Sequence, residues 1–196
     1  DVYKRQDPEL ADEMGERLQR LTAPFILRRL KTDTAIISDL PDKAEHVIAV
    51  DMTPEQAALY KALVDSTQAE LDERKGIARK GLVLATITRI KQVCNHPAHF
   101  LGDGSAVTDK GRHRSGKVEK LMELLEEAAA SDQRVLIFTQ YKAFGDILKP
   151  YLSERLGEDV PFLHGGVGKS ARDAMVERFQ QPDGPRAMIL SLKAGG

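Results

Sequence analysis

Val135-Leu-Ile-Phe-Thr-Gln-Tyr141 is an apolar run that breaks into a polar loop, and the chain repeats this pattern twice. Val160-Pro-Phe-Leu163 runs into His164-Gly165-Gly166, and Arg186-Ala-Met-Ile-Leu190 runs into Ser191-Leu-Lys-Ala-Gly-Gly196. The first two loops lead into helix-patterned segments. Alternating strand, loop and helix implies a parallel sheet, which gathers its strand-to-helix loops at one edge, where ligands bind. The side chains collected there are those of Thr139, Gln140, His164, Ser191 and Lys193, with glycines beside them. Such groups grip phosphate or let a backbone approach it.

Outward from the strands, Val118, Leu121, Met122, Leu125 and Ala129 fall on one helical face. Phe144, Ile147, Leu148, Tyr151 and Leu152 fall on a second, and Ala171, Ala174, Met175 and Phe179 on a third. The unbroken apolar run Val135–Phe138 predicts a strand covered on both faces. Upstream the pattern is mainly helical. Pro8 to Leu21 reads as a charged helix, Pro24-Phe-Ile-Leu-Arg-Arg29 as a compact turn, and Ala44 to Asp51 as a lone strand. Thr53-Pro54-Glu55-Gln56 is a helix start, with Thr at the N-cap, Pro at N1 and Gln at N3. The helix it opens is expected to bury Tyr60, Leu63, Val64, Thr67 and Leu71, and a further amphipathic helix covers Leu82 to Val93. These patterns divide the chain into a helical region at 7–100, a polar linker at 101–114 and an α/β region at 115–196. Asp1 to Gln6 fits neither pattern and is set aside as a scar, and both ends read as cut.

The 196 residues are 41% hydrophobic and 30% charged, as in ordinary globular proteins. A net charge of −1 leaves nucleic-acid binding to a local basic patch. The single cysteine, Cys94, permits no internal disulfide and fits a reducing compartment. No apolar run approaches the ~20 residues that cross a bilayer.

Two stretches imitate a nucleotide phosphate loop. Gly111-Arg-His-Arg-Ser-Gly116-Lys117 has the spacing, but Val118 replaces the hydroxyl that would ligate Mg²⁺ and no strand precedes it. Gly165-Gly-Val-Gly-Lys169-Ser170 has the right context, but Leu163 stands where the first glycine belongs, and Ser170 with Asp173 makes a plain helix cap. Cys94, His96, His99 and His113 lack a second cysteine pair, so a helix terminus is expected there rather than a metal.

Taken together, Pro24–Arg29, Leu40-Pro-Asp-Lys43, Thr53–Gln56 with Leu59-Tyr60, Lys91-Gln-Val-Cys-Asn-His-Pro97, Ser115-Gly-Lys117, Val135–Tyr141, Leu163-His-Gly-Gly166, Arg172 with Arg178-Phe179, and Ser191–Gly196 resemble the second half of the SWI/SNF-type (Snf-two) helicase-like DNA translocases of helicase superfamily two. The resemblance covers about residues 20–196, with the bacterial stand-alone members closer than the eukaryotic remodellers. It implies that 115–196 is most of a RecA-like helicase C-terminal lobe, incomplete because the chain stops within motif V. It also implies that 7–100 is the end of the first lobe plus helical insertions. Val135–Tyr141 would be motif IV.

On that resemblance Thr139, Gln140, His164, Gly165, Lys169, Arg172, Ser191 and Lys193 are expected to contact DNA, while Gly195 and Gly196 reach toward the nucleotide. ATP and Mg²⁺ would be held mainly by a first lobe that these residues do not include. The implied parent is a cytoplasmic, nucleoid-associated, monomeric translocase on double-stranded DNA, with no membrane partner, and the isolated chain would be inactive. The competing readings are a non-catalytic DNA- or protein-binding module and a self-contained P-loop enzyme using Lys169.

Overall fold

The computed structural model describes residues 14–15, 17–18, 20–22 and 44–192. Two compact units are distinguished, 1–47 and 48–196. In the first, the described residues between 14 and 22 are helical, with the Thr22 hydroxyl donating to the Leu18 carbonyl at 2.8 Å. The Pro24–Arg29 turn and the Leu40–Lys43 stretch lie outside the described residues.

In the second unit Thr53 caps helix α1 (Pro54–Glu73) with the expected capping box. Its hydroxyl accepts from the Gln56 amide at 3.2 Å, and the Gln56 carboxamide accepts from the Thr53 amide at 3.1 Å. Helix α2 (Gly76–Asn95) turns back along α1, and the short α3 (Pro97–Leu101) follows. Leu63 and Thr67 are buried between α1 and its neighbours as expected, whereas Val64 is 38% exposed. Residues 44–51, expected to be a lone strand, have no regular structure. No described strand runs alongside to accept their backbone bonds, and Val47 is fully exposed.

Gln56, 1% exposed, ties this region together. Its Nε2 donates to the carbonyls of Val93 at 2.8 Å and Cys94 at 3.3 Å, while its Oε1 also accepts from the Gly116 amide at 3.3 Å. Around it the Thr53 hydroxyl donates to the Arg114 carbonyl, Ser115 Oγ donates to the Asn95 carbonyl at 2.6 Å, and Arg114 grips both carboxylate oxygens of Glu55. That guanidinium holds the Glu55 carboxyl below the usual carboxylate range. A Cβ on Gly116 would lie 2.1 Å from the Asp51 carbonyl oxygen, so only glycine fits there.

Residues 101–114, expected to be a polar linker, contain a hairpin of β1 (Thr108–Asp109) and β2 (Arg112–His113). Its turn places Lys110 and Gly111 at φ 48° and 78°. Val107 enters the main core, and His113 bonds the Tyr151 hydroxyl at 2.7 Å. The buried Val107 and this side-chain bond make the connection part of the packed unit.

The α/β part is α4 (Gly116–Ala130), β3 (Val135–Thr139), α5 (Lys142–Leu156), β4 (Phe162–Leu163), α6 (Lys169–Gln180) and β5 (Ala187–Ser191). The three strands are parallel in the order β3-β5-β4. One face carries the main core, where Val118, Met122, Leu125, Leu148 and Leu152 of α4 and α5 meet Ile137, Phe162 and Ile189. Phe162 packs so closely on α5 that a Cβ on Gly145 would fall 2.2 Å from its ring. Ala129, assigned to the apolar face of α4, is exposed.

The other face departs from expectation. Leu136 and Phe138 are 47% and 60% exposed, so β3 is covered on one face only among the described residues. Helix α6 lies over the β4–β5 side, where Met175 and Phe179 meet Leu163 and Met188. Ala171 and Ala174, read as core, are exposed.

Two histidines seal the joint between α3 and α5. His96 accepts from the Ala98 amide through Nδ1 at 3.0 Å, which leaves Nε2 to donate to the Val107 carbonyl at 3.0 Å. His99 lies 5.5 Å from the Phe144 ring and 5.0 Å from that of Tyr141, with both ring nitrogens buried and unpartnered. Burial pushes both imidazoles below their ordinary 6.5.

Replacing Gln56 by leucine strands the Gly116 amide and the Val93 carbonyl and should destabilise the unit by about 3 kcal/mol, since each orphaned buried group costs roughly 1–3 kcal/mol. A urea titration giving less than about 1 kcal/mol would refute this assignment. The histidines predict an acid limb. Because their folded-state pKa values are depressed, the unfolded chain binds protons first, so stability is complete above about pH 6.5 and falls as pH drops below it. His99→Leu should flatten that limb and leave stability at pH 7.5 equal or higher, and an equally steep limb in the variant would contradict the argument.

Candidate nucleic-acid interface

Parallel register decides which loops meet. Thr139 pairs with Ser191, and Leu163 pairs with Leu190, so the carboxyl ends of β3, β5 and β4 lie side by side. Thr139-Gln140, His164-Gly165 and Ser191 therefore share one edge, as the sequence pattern requires. Lys193, Gly195 and Gly196 lie outside the described residues.

At this edge the side chains divide into two groups. Thr139 and Ser191 are each 6% exposed. The Thr139 hydroxyl accepts from the Tyr141 amide at 3.2 Å and faces the Tyr141 carbonyl at 3.3 Å, so it shapes the loop. Gln140, Gly165 and Lys169 are exposed, and His164 is half-buried. His164 Nδ1 accepts from the Gly166 amide at 3.0 Å, and its carbonyl accepts from the Val167 amide at 3.0 Å. Its ring tilts against Phe162 at 4.9 Å. Arg172, half-buried, turns its guanidinium back toward the Val167 carbonyl at 3.5 Å, bracing the same loop.

Both glycine-lysine stretches direct loop amides to partners within the chain. In Gly111–Lys117 the turn closes the hairpin and the Gly116 amide donates to Gln56. In Gly165–Ser170 the Gly166 and Val167 amides are directed at His164. The N-cap of α6 is Gly168, without a side-chain cap, so Ser170 does not have the capping role expected of it. Nor do the described residues bring three metal-ligating groups together. Cys94 is a partly buried free thiol near the end of α2.

One feature of this edge escaped the sequence reading. A cleft of about 500 Å³ opens beside the Thr139–Tyr141 loop, with Lys91 and Asn95 on one wall and Lys117 on the other. Lys91-Gln-Val-Cys-Asn95 and Ser115-Gly-Lys117 are far apart in the chain, and only the Gln56 junction brings them together.

The opposite edge differs in kind. There the Arg134 guanidinium donates to the carbonyls of Phe179, Gln181 and Pro182. Arg178 pairs with Asp183 at 2.8 Å, and Arg186 with Asp132 at 3.4 Å. Its arginines fasten loops to the sheet.

Comparison with known proteins agrees with this geometry. Residues 2–99 match the SNF2-related domain, and residues 116–196 match the helicase conserved C-terminal domain. The chain is 42% identical over 180 residues to the putative ATP-dependent helicase/translocase YwqA of Bacillus subtilis, covering 92% of this chain and 19% of that protein. It is 35% identical over 190 residues to the ISWI chromatin-remodeling complex ATPase CHR17 of Arabidopsis thaliana, covering 94% of this chain and 17% of that one. It thus spans about a fifth of the length of these relatives. The Sulfolobus solfataricus SWI2/SNF2 ATPase core in complex with dsDNA superposes with a TM-score of 0.71 at 41% identity, over 90% of this chain and 36% of that one. With a parallel three-stranded sheet of RecA-like type behind a helical region, and with both halves matched in order, the chain belongs to the SNF2-related family of helicase-type ATPases.

Proposed function

We propose that this chain is the C-terminal part of an ATP-driven double-stranded DNA translocase, and that its carboxyl sheet edge holds the DNA backbone. The observation that carries this reading is the register of Thr139 with Ser191, which sets three polar loops on one edge. The resemblance to a core solved with double-stranded DNA supports it. In this reading residues 115–196 belong to the second RecA-like lobe, and 7–100 to the end of the first lobe with its helical insertions. Residues 101–114 join the two.

A translocase must hold every sequence that it passes, so backbone contacts suit it better than base contacts. Gln140, His164, Gly165, Lys169, Arg172 and Lys193 make those contacts, while the Thr139 hydroxyl holds its loop in shape and Ser191 is buried at the end of β5. ATP with Mg²⁺ supplies the energy in the parent, and phosphoryl transfer needs a phosphate cradle, metal-binding acids and an arginine finger. The two glycine-lysine stretches here suit that task poorly, because the Gly116, Gly166 and Val167 amides are bonded within the chain. Residues 1–196 alone therefore contribute DNA grip and no hydrolysis.

Two outcomes follow. The purified 196-residue chain should show no ATPase activity with or without DNA, and DNA-stimulated turnover lost in Lys169→Ala would favour a self-contained P-loop enzyme instead. In the full-length parent, Lys193→Ala and Arg172→Ala should weaken DNA binding equally for all sequences. Each should lower the salt dependence by about one phosphate contact. Binding titrations across a salt series that leave affinity and slope unchanged in both variants would remove the proposal.

A further inference from the structure

Lys91, Asn95 and Lys117 were not among the residues expected to touch DNA, yet they form the walls of the cleft beside Thr139-Gln140. The cleft's charge is one-sided. None of its lining residues is a carboxylate, and the whole of α2, Gly76–Asn95, carries Arg79, Lys80, Arg89 and Lys91 without a single acidic residue. In a chain of net charge −1 this is a local concentration of positive charge.

Three lysines on α4 and α5 are neutralised by neighbours. Lys120 bonds Glu123 at 2.6 Å, Lys142 bonds Asp146 at 2.8 Å, and Lys149 lies 3.3 Å from Asp159. Lys91 and Lys117 have no carboxylate partner among the described residues. Lys117 Nζ instead donates to the neutral Asn95 side-chain oxygen at 3.2 Å. The Asn95 carbonyl is fixed in turn by Ser115 Oγ at 2.6 Å. That chain of bonds holds an ammonium in place while leaving its charge uncompensated. A held, uncompensated ammonium favours an anion whose contact is with the backbone rather than the bases.

We infer that Lys91 and Lys117, with Asn95 positioning Lys117, form a second phosphodiester-binding site that continues the DNA path from the Thr139–Gln140 loop onto the end of α2. This rests on the reading of the sheet edge as the DNA-binding side. It assigns part of the grip to the helical region, so that the DNA is held by both halves of the Gln56 junction.

The test is duplex binding by the full-length protein across a salt series, using Lys91→Ala, Lys117→Ala, Lys117→Arg and Asn95→Ala. Lys142→Ala serves as a control for a lysine that already has a carboxylate partner. Each cleft lysine removed should weaken binding about threefold to tenfold and lower the salt slope by about one contact, since each phosphate contact adds roughly 0.9 to that slope. Lys117→Arg should keep the slope, and Asn95→Ala should weaken affinity while leaving the slope unchanged. Melting curves would establish that each variant is folded. Unchanged binding in both lysine variants, alongside weakened binding in Lys193→Ala, would overturn the cleft site and leave the sheet-edge reading standing. If Lys193→Ala were also silent, both would fall. An equal loss in Lys142→Ala would reduce the effect to net charge and overturn the site. So would competition by an ATP analogue for the lysine-dependent binding, which would make the cleft a nucleotide site.

Discussion

The buried Gln56 carboxamide is the constraint on which the rest of this unit depends. It has two donors and one acceptor oxygen, and the structure uses it to join the start of α1, the end of α2 and the start of α4. A buried amide is tolerated only when its bonds are made, so those three helix ends are held in one arrangement. The position of α4 then fixes the core beneath β3 and β5, and that core fixes the sheet edge. The helical segment after residue 48 and the sheet consequently form one packed unit, although different family models match the two parts.

In the proposed reading, the chemistry of the two sheet edges would let a chain of net charge −1 hold a polyanion. At the amino edge, Arg134, Arg178 and Arg186 are committed to carbonyls and carboxylates that fasten α6 and its following loop. At the carboxyl edge, Lys91 and Lys117 lack carboxylate partners among the described residues, and Gln140 and Lys169 are exposed. Total charge carries no sign of this asymmetry, because it lies in how the charges are paired. The difference also separates two kinds of basic residue that composition alone would group together.

Much of the fold was legible because its signals are local. Thr53-Pro54-Glu55-Gln56 specifies a helix start through bonds within four residues, and the apolar spacing of α4 and α5 names their buried faces. What failed was non-local. Gln56 could be read as a cap but not as a bridge to Val93 and Gly116. Val107 sits in a polar stretch whose composition reads as linker, yet the hairpin turns it into the core. Residues 44–51 alternate like a strand but find no strand partner among the described residues, and β3 is apolar from Val135 to Phe138 while α6 packs on the neighbouring strands. At the site, strand order put Thr139, His164 and Ser191 together as their positions imply. Whether a hydroxyl faces outward or folds into its own loop, as that of Thr139 does, depends on loop geometry that residue type does not encode. Lys91 and Lys117 were hidden for the same reason as Gln56, since twenty-odd residues separate them in the chain.

The claim that DNA lies along the carboxyl edge can be tested by position alone. A photo-crosslinking residue would be placed at Gln140, on the exposed carboxyl-edge loop, and separately at Gln133 and Asp183, exposed on the opposite side of the sheet. Irradiation of each full-length variant with labelled duplex DNA should give crosslinks from position 140 and none above background from 133 or 183. Crosslinking from 133 or 183 with position 140 silent would place the DNA at the wrong end of the sheet and contradict the account.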